Sequence, residues 1–297
     1  MPRVELDELF DAEFLSALTH LRVIARRVAR GGRFAEQRSQ DSGSGIEFKD
    51  YRPYSPGDDL RAIDWNIYRR LGRVFLRMFE ELEDLPVYLL PDTSRSMYME
   101  TPPRARPALQ AALAFASIAL NQHDRVGLFP IGADMEIALR PQSGRGRLLR
   151  FAESMAQLEA SGATNFDQSL RRFHSLGLRE GLAIIVSDFF DPGGTQQIVS
   201  AVKQLRHRVL FVQIYRATDR NPAIEGDVQL VDCESGDTRD ATVTPAVLAQ
   251  VAAAHDAFQA ELTNFASQRG VGLLRLDADR EVLPQLATLF EQGSLRV

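Results

Sequence analysis

Two aspartates and three hydroxyl residues stand where they could hold a hard cation. Asp92, Ser94 and Ser96 alternate in Pro91-Asp92-Thr93-Ser94-Arg95-Ser96, directly after the apolar run Val87-Tyr88-Leu89-Leu90. Asp188 and Asp191 follow a second apolar run, Ile184-Ile185-Val186, and Thr164 ends Ser161-Gly162-Ala163-Thr164 ahead of a helical stretch. All are oxygen donors. Mg²⁺ takes about six oxygen ligands in near-octahedral geometry and keeps some water, and Mn²⁺ or Ca²⁺ accept the same donor class. In a loop leaving a strand, alternate residues can turn toward one point, so Asp92, Ser94 and Ser96 can share one ion. Two carboxylates only just offset a dication. The ion would stay electrophilic and could accept one more anionic ligand, an Asp or Glu from another protein.

A plainer account competes with this one. Asp92, Ser94 and Ser96 could simply cap and tighten a strand-to-helix loop. Asp-x-Ser-x-Ser alone is a weak pattern; the conjunction with Thr164 and Asp188, each beside its own element, favours the ion. An enzymatic account also competes: Asp92 could be the nucleophile of a Mg²⁺-dependent phosphatase-like hydrolase. Such enzymes usually need a second acid two residues on, where this chain has Ser94. Ser94 and Ser96 lack a Gly-x-Ser-x-Gly setting. Gly144-Arg145-Gly146-Arg147 lacks the Gly-Lys-Ser/Thr of a phosphate-binding loop. The five histidines show no zinc-ligand spacing. A non-enzymatic protein is expected.

A second constellation runs from Arg52 to Asn66, where acids and arginines surround Trp65, the only tryptophan. Pro56-Gly57 sets a turn, and Asp58 or Asp59 can cap a helical turn behind it. Arg52, Arg61 and Arg69 can make forked bonds to Asp59 and Asp64, with Trp65 as an apolar anchor. This segment is expected to be a structural clasp, with a second binding surface as the alternative.

These residues need elements to position them. Leu9, Phe10, Phe14, Leu15, Leu18, Leu21, Ile24 and Ala25 recur at helical steps, predicting one helix over Leu6–Arg30. A loop is expected at Arg33–Gly45 and a strand at Val74–Phe79. From Val87 the pattern becomes regular. Strands are expected at Val87–Leu90, Arg125–Ile131, Met135–Leu139, Gly181–Ser187, Val209–Tyr215, Val228–Cys233 and Val271–Leu276. Helices are expected at Pro103–Gln122, Arg147–Leu158, Asn165–Leu176, Thr195–Leu205, Pro245–Gln268 and Val282–Phe290. The alternation implies a doubly wound, mostly parallel α/β sheet with helices on both faces, over residues 87–297. Residues 1–86 form a helical and irregular extension. Ligands of such sheets bind beyond the carboxyl ends of the strands, where Asp92 and Asp188 stand.

Composition narrows the function classes. The chain has 297 residues, with 44% hydrophobic and 25% charged residues, the range of an ordinary globular protein. Its net charge of −5 argues against a general nucleic-acid binder. A single cysteine, Cys233, can make neither an internal disulfide nor a Cys-rich zinc site; in its expected strand it reads as a buried, inert thiol. No apolar run approaches the roughly 20 residues of a membrane span. Residues 1–10 carry acids and no apolar core, unlike a secretory signal. A cytoplasmic location is expected.

The residues Asp92-Thr93-Ser94-Arg95-Ser96-Met97, with Thr164 and Asp188, resemble the metal-ion-dependent adhesion site of von Willebrand factor A domains. The resemblance implies Ser94, Ser96 and Thr164 as direct ligands, with Asp92 and Asp188 acting directly or through water. One position departs. Many members have a glycine after the last aspartate, whereas Phe189-Phe190-Asp191 follows here, leaving Asp191 as a rival to Asp188. Upstream, Glu47-Phe48, Arg52-Pro53-Tyr54, Pro56-Gly57-Asp58 and Ile63-Asp64-Trp65 resemble family fifty-eight of the domains of unknown function, from Gly45 onward. Many relatives carry N-terminal membrane helices, which are not expected here. Relatives are often linked to MoxR-type AAA+ ATPases. The resemblance therefore implies a metal-dependent adaptor whose protein partner is such an ATPase or its client.

Overall fold

In the computed structural model of the chain, residues 5–31, 45–55, 58, 63–82, 86–191 and 193–291 are described. In chain order the elements are α1 (Leu6–Leu9), α2 (Ala12–Gly31), β1 (Gly45–Pro53), α3 (Trp65–Leu71), β2 (Phe75–Leu82), β3 (Val87–Pro91), α4 (Arg95–Met99), α5 (Ala105–Asn121), β4 (Val126–Leu128), β5 (Leu139–Gln142), α6 (Leu148–Ala156), α7 (Phe166–Ser175), β6 (Leu182–Ser187), α8 (Gly194–Val202), β7 (Arg208–Tyr215), α9 (Ala217–Arg220), β8 (Gly226–Val231), β9 (Thr238–Val243), α10 (Pro245–Arg269), β10 (Gly272–Asp277) and α11 (Val282–Glu291). Two compact units emerge. Residues 1–28 group with 85–297, and residues 29–84 form the other unit.

The larger unit is built on a six-stranded sheet of order β10-β7-β6-β3-β4-β5. Every pairing is parallel except β4 with β5. Parallel strands covered on both faces read as unbroken apolar runs, and Ile184-Ile185-Val186 is one. Alternate side chains of β3 enter opposite cores. Val87 and Leu89 join a cluster with α5, α6, α11 and Leu9, Phe14, Leu18 and Leu21 of the N-terminal helices. Tyr88 and Leu90 join a cluster with α7, α8 and α10. Helix ends are set by local chemistry. Asn165 accepts from Gln168 N at the start of α7. Thr244 caps α10, Pro245 opens it, and Gly270 closes it in the left-handed conformation.

Several expectations need correction here. The single helix over 6–30 is broken: Asp11 Oδ1 accepts from Phe14 N at 2.7 Å and starts a new helix, so α1 and α2 are separate. Leu15 of the predicted apolar stripe is exposed. The strand expected at Met135–Leu139 begins only at Leu139. Ahead of it, Asp134 Oδ1 takes Met135 N and Pro130 O takes Glu136 N, so a turn uses these donors instead of a ladder. The β8–β9 hairpin was only half expected, and Cys233 lies past β8, half-buried. Burial first, then the Glu234 and Asp232 charges, raise the Cys233 pKa and keep the thiol protonated.

The smaller unit pairs β1 with β2 in an antiparallel ribbon, from Gly45↔Leu82 to Pro53↔Phe75, with a register shift between Phe48 and Asp50. No strand was expected at β1, and β2 begins at Phe75 and extends to Leu82, past the expected end at Phe79. Asp64 caps α3 by accepting from Asn66 N (2.9 Å) and Ile67 N (3.2 Å), and also accepts from Tyr51 Oη at 3.1 Å. Arg52 pairs with Asp58 at 2.6 Å. The other proposed partners, Asp59 and Arg61, lie outside the described residues, and Arg69 is exposed. Trp65 is no buried anchor. It is 60% exposed at the first position of α3, its ring edge-on to Tyr68. Among the described residues, no helix is long and apolar enough to cross a membrane.

Candidate metal centre

The first strand of the large sheet, β3, lies between β4 and β6. The chain leaves β3 toward β4 and β5 on one side and returns to β6 on the other. Loops leaving β3 and β6 therefore part at this point, the crevice where open α/β sheets bind ligands. Asp92 follows β3 directly and Asp188 follows β6 directly.

Backbone bonds stitch three loops into one floor. Asp92 N donates to Val186 O (2.8 Å), Ser161 N to Thr93 O (2.7 Å), Arg95 N to Gly162 O (2.8 Å), and Asn165 N to Gly132 O (2.8 Å). Thr93 Oγ1 adds a bond to Ile131 O at 2.9 Å and lies 2.9 Å from Ser161 Oγ. Gly132 is needed here: a Cβ on it would fall 1.8 Å from Ser161 Oγ and 3.0 Å from Thr93 Oγ1. The seam thus requires a bare backbone at position 132.

On this floor the expected donors gather around Asp92. Its Oδ1 accepts from Ser94 N at 2.8 Å and from Thr164 Oγ1 at 3.4 Å. Ser94 Oγ and Ser96 Oγ are 2.9 Å apart. Asp92, Ser94, Thr164 and Asp188 are all buried, and Ser96 is partly exposed. Asp188 Oδ1 accepts from Phe190 N at 3.0 Å. Ser187, which sequence reasoning missed, donates its hydroxyl to Asp92 Oδ2 at 2.5 Å. Its place as the last residue of an apolar strand, next to Asp188, was the available signal.

Burying a carboxylate is costly unless a cation or several hydrogen bonds compensate. Burial raises the Asp92 pKa, opposed by the bonds from Ser187, Ser94 and Thr164. Burial first, then the charge of Asp92, raise that of Asp188, against the Phe190 N–H bond and the positive charge of Arg104. Among the described residues neither carboxylate forms an ion pair with Arg, Lys or His. Nearby, Tyr98 of α4 is 6% exposed, its hydroxyl has no hydrogen-bond partner, and burial and the Asp92 charge raise its pKa. Two buried like charges, three hydroxyls and an orphaned phenol form a donor set suited to a hard cation.

A family model described as protein of unknown function DUF58 matches residues 50–261. The chain belongs to the DUF58 family. It is 27% identical over 290 residues to the uncharacterized protein Rv1480 of Mycobacterium tuberculosis, covering 96% of this chain and 91% of that one. It is 33% identical over 103 residues to the uncharacterized protein MAV169 of Mycobacterium avium, covering 35% of this chain and 60% of that one. Among solved structures, the conserved hypothetical protein BatB of Bacteroides thetaiotaomicron aligns at 15% identity and a TM-score of 0.39, over 72% of this chain and 100% of that one.

In this DUF58 chain the residue after Asp188 takes a glycine-like backbone without being glycine. Phe189 has φ +63°. Non-glycine residues held there cost about 1–3 kcal/mol and persist only when surroundings over-determine them. The ring supplies the compensation: it is buried, stacked 5.8 Å from Phe166 and tilted against Phe211 at 4.6 Å. Asp191 is used differently. Its Oδ1 accepts from Gly193 N at 2.7 Å and its Oδ2 from Phe166 N at 3.4 Å, so it ties loop ends together.

A second buried polar system, unforeseen in the sequence, lies along the same edge. Arg104 forks onto Glu100 (2.7 and 2.9 Å) and reaches Asp219 (3.0 Å). Arg216 reaches Glu100 at 2.5 Å, and its buried Nε lies 3.0 Å from Asp279 without a hydrogen bond. Glu100 and Arg104 follow α4, so this network anchors the far end of the Asp92 loop. Its partners are separated by up to 116 residues, which no local pattern could pair.

Proposed function

We propose that this chain is a von Willebrand factor A-like, non-enzymatic adaptor that grips a partner's carboxylate through a divalent cation. The observation that carries this reading is the buried pair Asp92 and Asp188 at the sheet's switch point, neither of them ion-paired among the described residues, with only the charge of Arg104 reaching Asp188 without an ion pair. Ser94, Ser96 and Thr164 would hold the ion directly, and Asp92 and Asp188 directly or through water. Asp188 is preferred to Asp191 because it follows β6 directly, is 2% exposed and feels the Asp92 charge, whereas Asp191 ties the starts of α7 and α8 together. Mg²⁺ is the first candidate, since hydroxyls, carboxylates and water suit a small hard ion; Mn²⁺ and Ca²⁺ share the donor class. A bound dication supplies positive charge with a position open to an anionic ligand.

The phosphatase-like alternative is weaker. Both oxygens of Asp92 accept hydrogen bonds and the residue is 1% exposed, which suits a positioned ligand more than an attacking nucleophile. A MoxR-type AAA+ ATPase, or its client, is the proposed partner on family resemblance, in a cytoplasmic setting.

A pull-down read by mass spectrometry tests the reading, with wild type in Mg²⁺, wild type in chelator, and Ser94→Ala/Ser96→Ala as baits. A MoxR-type ATPase captured only by the first bait is the expected result. The same proteins on all three baits would remove the cation from the mechanism.

A further inference from the structure

The β8–β9 hairpin is built unlike the rest of the large unit. Its strands are mostly exposed and join none of the six strands of the main sheet. Its tip, by contrast, is ordered and engaged. Asp232 Oδ1 accepts from Glu234 N at 2.9 Å and Ser235 N at 2.6 Å, and Asp232 N donates to Asp237 O at 2.8 Å. This preorganised turn rests on the Asp92 loop: Arg95 Nη1 donates to Cys233 O at 3.4 Å.

The next residue is Glu234. It is only partly exposed, and its Oε1 is shut off from solvent without a hydrogen-bond partner. It lies against the Thr164 backbone N–H and within reach of the Asp92 charge. A hairpin has therefore carried a carboxylate toward the buried Asp92. Like charges at close range repel, and an unpaired buried carboxylate oxygen costs free energy. A surface hairpin could swing such a group into water, yet the turn and the Arg95 bond hold it inward. The Tyr98 hydroxyl, on α4 behind the same Asp92 loop, is likewise nine-tenths buried and without a hydrogen-bond partner.

We infer that Glu234 is the chain's own occupant of the cation's open position, so that the β8–β9 hairpin straps the centre until a partner's carboxylate displaces it. The inference rests on the cation reading above and deepens it. Among the described residues, Asp92, Asp188 and Glu234 do not converge as a three-carboxylate cluster. Ion binding would draw Glu234 inward and tighten the hairpin. The partner must then supply a carboxylate that outcompetes a tethered one, which makes capture selective for a well-positioned acidic group.

The test uses the full chain and Mn²⁺ alone. Titration calorimetry measures Mn²⁺ affinity for wild type, Glu234→Gln and Asp92→Asn, and hydrogen exchange follows the amides of residues 226–243 with and without the ion. The expected result is an affinity loss of about ten- to a hundredfold in Glu234→Gln, with Mn²⁺ slowing hairpin exchange in wild type but not in that variant. Wild-type affinity in Glu234→Gln, or hairpin exchange indifferent to Mn²⁺, overturns the strap while leaving the cation centre standing. No Mn²⁺ binding by wild type overturns the cation centre itself, and the strap with it.

Discussion

Two buried polar systems share the carboxyl edge of one sheet, and they are finished differently. Around Arg104 the charges answer one another: Arg104, Asp219 and Arg216 have side chains 6, 7 and 8% exposed, and each meets an opposite charge. Burial works against the Arg104 charge, yet its bonds to Glu100 and Asp219 hold its pKa above the usual arginine value. Around Asp92 and Asp188 burial is as deep, but the direct partners are only hydroxyls and backbone N–H groups, and the Arg104 charge reaches Asp188 without forming an ion pair. Depth of burial alone therefore does not separate a structural network from a binding centre. The sign and completeness of the charge balance do.

The contrast can be broken first at its finished side. Arg104→Met strands Asp219 without its main cation, and breaking a buried pair from one side costs about 3–5 kcal/mol. Urea unfolding should show that loss equally with Mg²⁺ and with chelator; a loss below about 1 kcal/mol would mean the network is not compensating buried charge. The unfinished side should respond to ions instead. Mg²⁺ at a hundred times its dissociation constant should add about 2.7 kcal/mol to unfolding stability, and Asp92→Asn should abolish the gain. An equal gain in that variant would place the ion elsewhere.

The smallest effect is a pH dependence, read in chelator. Burial raises the pKa of Asp92 and of Asp188, the latter to about 7. The native state thus holds these protons more tightly than the unfolded chain. Their stabilising contribution is complete below the ordinary carboxylate range and is lost as pH rises through the raised values. Each pKa unit corresponds to about 1.4 kcal/mol. Stability should fall between about pH 4 and pH 7, and Asp92→Asn/Asp188→Asn should flatten that fall. A double variant as steep as wild type would assign the dependence to other groups.

Much of this edge was legible in the sequence because buried parallel strands announce themselves. Val87-Tyr88-Leu89-Leu90 and Ile184-Ile185-Val186 are apolar without alternation, and the acids that follow them stand at strand ends by construction. Other elements left no such trace. Thr238-Arg239-Asp240-Ala241-Thr242 is polar on both sides of its strand, since little of β9 is buried, so no period marks it. The charges within Gly45–Pro53 hid β1 in the same way. At Asp11 a single hydrogen bond to Phe14 N outweighed a helical period that continued across it. Glu234 was invisible as a site residue because only the hairpin's fold brings it to the Asp92 loop.

Phe189 has a mechanical consequence. Its backbone lies between Asp188 and the loop toward α8, while its ring is wedged between Phe166 at the head of α7 and Phe211 on β7. The carboxylate and the ring are adjacent on a chain bent into a conformation only tight surroundings sustain. A pull on Asp188 is therefore a torque on that wedge. A displacement of Asp188 would pass through that ring to the helix-covered interior, and α7 would feel it before the rest of the molecule.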